Sequence, residues 1–251
     1  MSNELVRSLE RALNLIESLA LNHPKGATLK ELSTETNLNK TTAFRLLNTF
    51  IENDYVIKDN AGIYRLTEKM LLLGKSAAFD RDLVSVARPY LNRLSNLTGE
   101  AAQLSLIQDI SVVTSYSVDY GDNPIKIAPK IGTSYPLYCT SAGKAFLANM
   151  SLQKIKEYWK EIIPERFTDR TIVSEAMLLD ELNHIRKKGF ALEDEEHDIG
   201  IRCISALIND NEGEAVGAVS LTAPTIRLND DKVDFLASYV ISTAKKISMN
   251  L

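Results

Sequence analysis

Residues 138–144, Tyr-Cys-Thr-Ser-Ala-Gly-Lys, run straight into a helical pattern, and the first N–H groups of a helix have no acceptor within it. With the helix dipole behind them, such groups attract a carboxylate or a phosphate. The same run also reads as a plain helix start, with Thr140 or Ser141 as N-cap and no ligand. A second group lies at 193–203, where Glu193-Asp194-Glu195-Glu196-His197-Asp198 precedes Gly200-Ile201-Arg202-Cys203. Most of its carboxylates read as a solvated loop. A divalent cation held by His197, a carboxylate and Cys203 would need a ligand spacing that this segment lacks. A thiol hydrolase using Cys203, His197 and Glu195 shows no third group to orient the imidazole. Ser220 and Thr222 differ by two in an apolar run, so one strand face carries both, either as satisfied core groups or as anchors of a ligand. The nucleophile-elbow pattern, a Gly-rich phosphate loop and a histidine pair at metal spacing are all absent from the sequence. The expectation is a binding protein with no catalytic residues, no metal and no cofactor.

A third group faces outward. Thr41, Arg45, Asn48 and Glu52 form a polar stripe on the helical pattern 40–53, while Ala43, Phe44, Leu46, Leu47, Phe50 and Ile51 predict its buried side. Donors near the start of an exposed helix suit a DNA major groove. The flanking elements fit that use. Thr28 and Glu31 make a capping box for a short helix carrying Leu29 and Leu32. Asn37-Leu38-Asn39 ends it, and Asn39 caps the next. Strands at 55–57 and 63–66 are joined by a turn at Asp59-Asn60-Ala61-Gly62. Together these spell a winged helix-turn-helix, although similar elements occur in small domains that never meet DNA. Eight basic residues (Arg7, Arg11, Lys25, Lys30, Lys40, Arg45, Lys58, Arg65) balance eight acidic ones (Glu4, Glu10, Glu17, Glu31, Glu35, Glu52, Asp54, Asp59) over residues 1–66. Attraction to phosphate must therefore come from placement: Lys40 at the helix start, Lys30 and Lys58 nearby, and Arg65 in the wing.

The rest of the chain must hold these groups. An amphipathic helix over 8–21, capped by Ser8, carries Leu9, Ala12, Leu13, Ile16, Leu19 and Ala20 on one stripe and stops at 22–26, where His23 precedes Pro24. A linker helix is expected at 67–79 and a further helix at 83–97, kinked or broken by Pro89. Strands at 101–107 and 111–118 form a hairpin, with another at 125–131. Helices follow at 141–149, 152–162 and 174–188, then strands at 190–195, 201–208 and 215–222, and a final helix at 229–249. That order predicts an α+β fold with a largely antiparallel sheet, divided as 1–66, a linker 67–80, and 81–251. The 251-residue chain has two cysteines, too few for a disulfide framework. It has no stretch approaching the ~20 apolar residues of a membrane span. Its first residues lack the apolar run of a signal peptide, so the expected location is the cytoplasm.

The segments SLERALNLIESLA, LNKTTAFRLLNTFIENDYV, IGTSYPLYCTSAGKAFLA, KKGFALEDEEHDIGIRCISALI and GEAVGAVSLTAPTIRLNDDKV, in this order, resemble the IclR family of bacterial transcriptional regulators over essentially the full length. The resemblance implies a winged helix-turn-helix, a helical linker and a GAF-like effector domain. It also implies a homodimer or dimer of dimers acting on a pseudo-palindromic operator, more as repressor than activator. In the DNA-binding domain Thr41, Thr42, Arg45 and Asn48 would read bases or fix register, and Lys40 and Arg65 would meet phosphate. In the effector domain the backbone N–H groups of Ser141 and Ala142 would hold the oxygens of a small carboxylate or sugar acid. Cys203, Ser220 and Thr222 match the family's polar pocket side chains, Thr222 standing where Ser is common. Ile127 and Tyr135 match wall positions, with Tyr135 bulkier than the usual Leu. The acidic pocket position falls on Glu193 or Asp194, where the family often has Asp.

Overall fold

The computed structural model describes residues 6–70, 72–73, 81–121, 123–127 and 130–251. The chain divides into two compact units, Met1–Phe79 and Asp80–Leu251.

In the first unit, α1 (Arg7–Asn22), α2 (Leu29–Glu35) and α3 (Lys40–Glu52) accompany a small antiparallel sheet of β1 (Ala27–Thr28), β2 (Val56–Lys58) and β3 (Ile63–Leu66) in the order β1-β3-β2. The capping box forms, with the Thr28 N–H donating to Glu31 Oε2 at 2.7 Å and the Glu31 N–H to Thr28 Oγ1 at 3.3 Å. The Asn39 side chain accepts from the Thr42 N–H at 2.8 Å and so fixes the start of α3. Leu15, Leu19, Leu32, Ala43, Leu47, Val56 and Tyr64 close the core. Three expectations fail here. Ser8 lies inside α1, whose N-cap is Val6 with no side-chain bond, and Leu9 and Leu13 are exposed because only the later turns, through Leu15, Ile16 and Leu19, reach the core. Phe44 is also exposed. It lies about 100° around the helix from the buried Ala43, past the edge of the packed stripe.

The second unit is built on a six-stranded antiparallel sheet in the order β6-β5-β4-β9-β8-β7. Its strands are β4 (Ala101–Gln108), β5 (Ser111–Val118), β6 (Ser134–Pro136), β7 (Ala191–Asp194), β8 (Ile201–Asn209) and β9 (Ala215–Pro224). Side-chain alternation gives the sheet two kinds of face. Leu104, Ile204, Ala206, Val219 and Leu221 pack with α4 (Arg81–Thr98) and α8 (Asp230–Ser248). The other face meets α5 (Ser141–Asn149), α6 (Leu152–Glu161) and α7 (Glu175–Lys188), whose Phe146, Leu147, Ile155, Leu178 and Leu182 form a second core. Of the kink or break expected at Pro89, the break does not occur: helix α4 continues through it. Packing of Ala87 and Leu91 on either side outweighs the single lost N–H bond. The strand expected at 125–131 is absent among the described residues of that span, and β6 takes the edge beside β5 instead. The linker helix expected at 67–79 falls largely outside the described residues. No described helix is long and apolar enough to cross a membrane.

Candidate functional site

Register brings the sequence's scattered polar groups to one place. Cys203 pairs with Thr222, Ser205 with Ser220, Gln103 with Ser220 and Glu193 with Cys203 across four neighbouring strands. All face the side where α5 begins, and a cavity of about 170 Å³ lies between them. Thr140, not Ser141, is the N-cap of α5, accepting from the Gly143 N–H at 3.3 Å and donating to the Pro136 carbonyl at 2.8 Å. The N–H groups of Ser141 and Ala142 are left without an intrahelical acceptor, and both residues line the cavity.

The helix start is held in place from behind. Gly143 packs so closely that a Cβ there would come within 2.3 Å of Leu137 Cα, so only glycine permits this approach. The next residue, the fully buried Lys144, donates to the Leu192 carbonyl at 2.6 Å, to Glu181 at 3.2 Å, and to Glu196. Burial disfavours the Lys144 charge, but Glu196 and Glu181 outweigh it and raise the ammonium's pKa. This ion cluster ties α5 to β7 and to the loop after it.

The cavity's hydroxyls are linked. Ser141 Oγ lies 2.7 Å from Ser205 Oγ, which lies 2.6 Å from Ser220 Oγ. Gln103 Nε2 donates to Thr222 Oγ1 at 2.5 Å, and Cys203 Sγ lies 3.1 Å from the same oxygen. Each hydroxyl keeps further donor or acceptor capacity for a ligand. Glu193 is 4% exposed. Burial pushes its carboxyl up to about 7, opposed by hydrogen bonds from the Cys203 thiol and the His197 N–H and reinforced by Glu196. Burial also drives the Cys203 thiol far above its usual range, so it stays protonated and is a poor nucleophile. His197 does have an orienting partner, which the sequence did not reveal: its Nδ1 lies 2.8 Å from Asp198. Its ring stacks on Phe167 and meets the edge of Tyr135, and no hydrogen bond joins it to Cys203.

Of the two acidic candidates, Glu193 lines the cavity and Asp194 does not. Strand alternation turns Asp194 outward, where Arg170 at 2.5 Å and Arg202 hold its carboxylate. Ile127, Tyr135, Cys203, Ser220 and Thr222 all line the space. Sequence reasoning missed Gln103, Ser105, Thr114 and the bridging Ser205, although Gln103 and Ser105 show the same two-residue polar spacing as Ser220 and Thr222. Among the described residues, no group of three or more His, Cys, Asp or Glu is placed to hold a metal ion.

In the first unit, Lys40, Thr41, Arg45 and Asn48 are exposed on α3, while Thr42 is half-buried beside its cap. Arg65 is engaged within the wing, donating to Asp59 at 2.5 Å and to the Lys25 carbonyl at 2.9 Å. Residues 8–60 match the IclR helix-turn-helix domain, and residues 76–249 match the family described as bacterial transcriptional regulator IclR C-terminal. The chain is 35% identical to the DNA-binding transcriptional repressor YiaJ of Escherichia coli (strain K12), over 98% of this chain and 88% of that protein. It is 30% identical to the acetate operon repressor of Salmonella typhimurium (strain LT2), over 97% and 89%. The crystal structure of the Thermotoga maritima IclR superposes with a TM-score of 0.82 at 25% identity, over 98% of this chain and 99% of that one.

Proposed function

The chain belongs to the IclR family of bacterial transcriptional regulators, and from that membership we propose that it represses a metabolic operon under the control of a small organic acid or sugar acid. On this reading residues 1–66 bind DNA, 67–80 link, and 81–251 bind the effector. The observation that carries it is the cavity. Free amides at the start of α5, a chain of serine hydroxyls and a buried carboxyl surround about 170 Å³ of space. An apolar cavity of about 150 Å³ accommodates benzene, so a guest of roughly six to eight heavy atoms suits this one. The amides of Ser141 and Ala142 suit its carboxylate, and Ser220, Thr222 and Cys203 suit its hydroxyl or carbonyl groups. Lys40, Thr41, Thr42, Arg45, Asn48 and Arg65 contact the operator, Arg65 exchanging its Asp59 partner for phosphate. The regulator works in the cytoplasm as a homodimer or dimer of dimers, which calls for a pseudo-palindromic site.

A thermal-shift screen of small carboxylates and sugar acids on the whole chain tests the sensing half. A ligand that binds only the folded state adds about 2.7 kcal/mol at a hundred times its Kd, and Ser220→Ala together with Cys203→Ala abolishes the shift. Absence of any hit, or a hit indifferent to both substitutions, refutes the pocket. Sequence-selective DNA binding that survives Arg45→Ala combined with Thr41→Ala refutes the role given to α3.

A further inference from the structure

The fold leaves Phe44 outside the core of the first unit and partly exposed. The residue is 41% exposed, and its ring makes no aromatic or cation contact among the described residues. At 3.6 residues per turn it shares a face of α3 with Lys40 and Asn48, one turn to either side, and with Thr41. All three are exposed. Burying an aromatic ring is strongly favourable, so the exposed part of a phenylalanine set amid hydrogen-bond donors suits an apolar surface on whatever those donors meet. On the edges that base pairs present in a major groove, the apolar group is the thymine C5 methyl.

We propose that Phe44 is a base-reading residue of α3 whose ring covers a thymine methyl in each half-site, beside the bases read by Thr41, Arg45 and Asn48. The inference rests on the DNA-binding reading above and adds the base that this position selects. The contact involves no charge, so it contributes selectivity without contributing to the salt dependence set by phosphate contacts.

The test uses the full chain and a randomised duplex library. From the enriched duplex, each thymine is replaced in turn by deoxyuridine, which removes the methyl and keeps the pairing. One thymine per half-site is expected to be sensitive, with binding weakened about fourfold for one lost methyl and about 15-fold for both. Phe44→Ala binds the methylated and unmethylated duplexes equally and keeps the wild-type salt slope. Phe44→Leu retains an apolar tip and part of the discrimination, and it serves in place of the alanine variant should that one not fold. A thymine whose methyl matters equally to wild type and variant overturns the inference, as does an enriched duplex with no methyl-sensitive thymine. A library from which nothing is enriched removes the DNA-binding reading as well, which separates the two failures.

Discussion

Replacing Glu193 with glutamine separates the charge of the cavity's buried carboxyl from its shape. Burial favours the neutral acid, lifting its pKa from 4.5 to about 7. The folded chain therefore holds this proton more tightly than the unfolded chain, and that preference stabilises the fold at low pH. The stabilisation is lost as pH rises through the folded value. At about 1.4 kcal/mol per pH unit the full contribution is about 3 kcal/mol. Over the window from about pH 5 to pH 8, the wild type should lose roughly 2–3 kcal/mol relative to Glu193→Gln. Glutamine keeps the side-chain length and an oxygen for the His197 N–H, so the remaining difference is a constant offset. Urea unfolding followed by tryptophan fluorescence reads the second unit, because Trp159 is the chain's one tryptophan and packs edge-on against Tyr138 there. Parallel stability profiles for wild type and variant across that pH range would refute the claim that the cavity neutralises this carboxyl.

Three further outcomes follow from the same geometry. Lys144→Met should cost about 3–5 kcal/mol, because Glu196 is left buried without its counter-charge, and the loss should shrink at low pH where Glu196 takes a proton; denaturation at two pH values checks both. Gly143→Ala forces a Cβ against the Leu137 backbone, costing roughly 1–3 kcal/mol or more, and abolishes the thermal shift by any acid hit because the start of α5 must move. Affinity for an acid effector should be flat below pH 7 and fall by up to about tenfold per pH unit above it, since an anion beside Glu193 requires the neutral carboxyl; calorimetry in two buffers of different ionisation enthalpy counts the proton, and Glu193→Gln should remove the slope.

Local signals made the first unit legible. The Thr28–Glu31 box, the Asn39 cap and the turn closed by Asp59 are each written within a few residues, and each forms. The edge of α3's apolar stripe was not legible, because Ala43 and Phe44 are adjacent apolar residues and only packing decides which of them reaches the core. The two-residue β1 is too short to carry a pattern. In the second unit, alternation located β4, β5, β8 and β9 and put Ser220 and Thr222 on one face. Ile125 and Ile127 also alternate, but Pro124 and Pro129 bracket them and proline lacks the donor that a paired strand needs. The inward choice of Glu193 over Asp194 turns on register with Cys203, and a slip of one residue would reverse it. The Ser141–Ser205–Ser220 chain joins residues 64 and 15 positions apart, a pairing that spacing along the sequence cannot express.

If a small acid in the second unit changes how the first unit holds DNA, linkage makes the effect measurable in both directions. Affinity for the enriched duplex should be measured with and without a saturating acid hit, for wild type and for Ser220→Ala. The acid should change wild-type DNA affinity by some factor, bound DNA should change the acid's affinity by the same factor, and Ser220→Ala should show neither effect. Equal DNA affinity in the presence and absence of a bound acid would contradict this coupling.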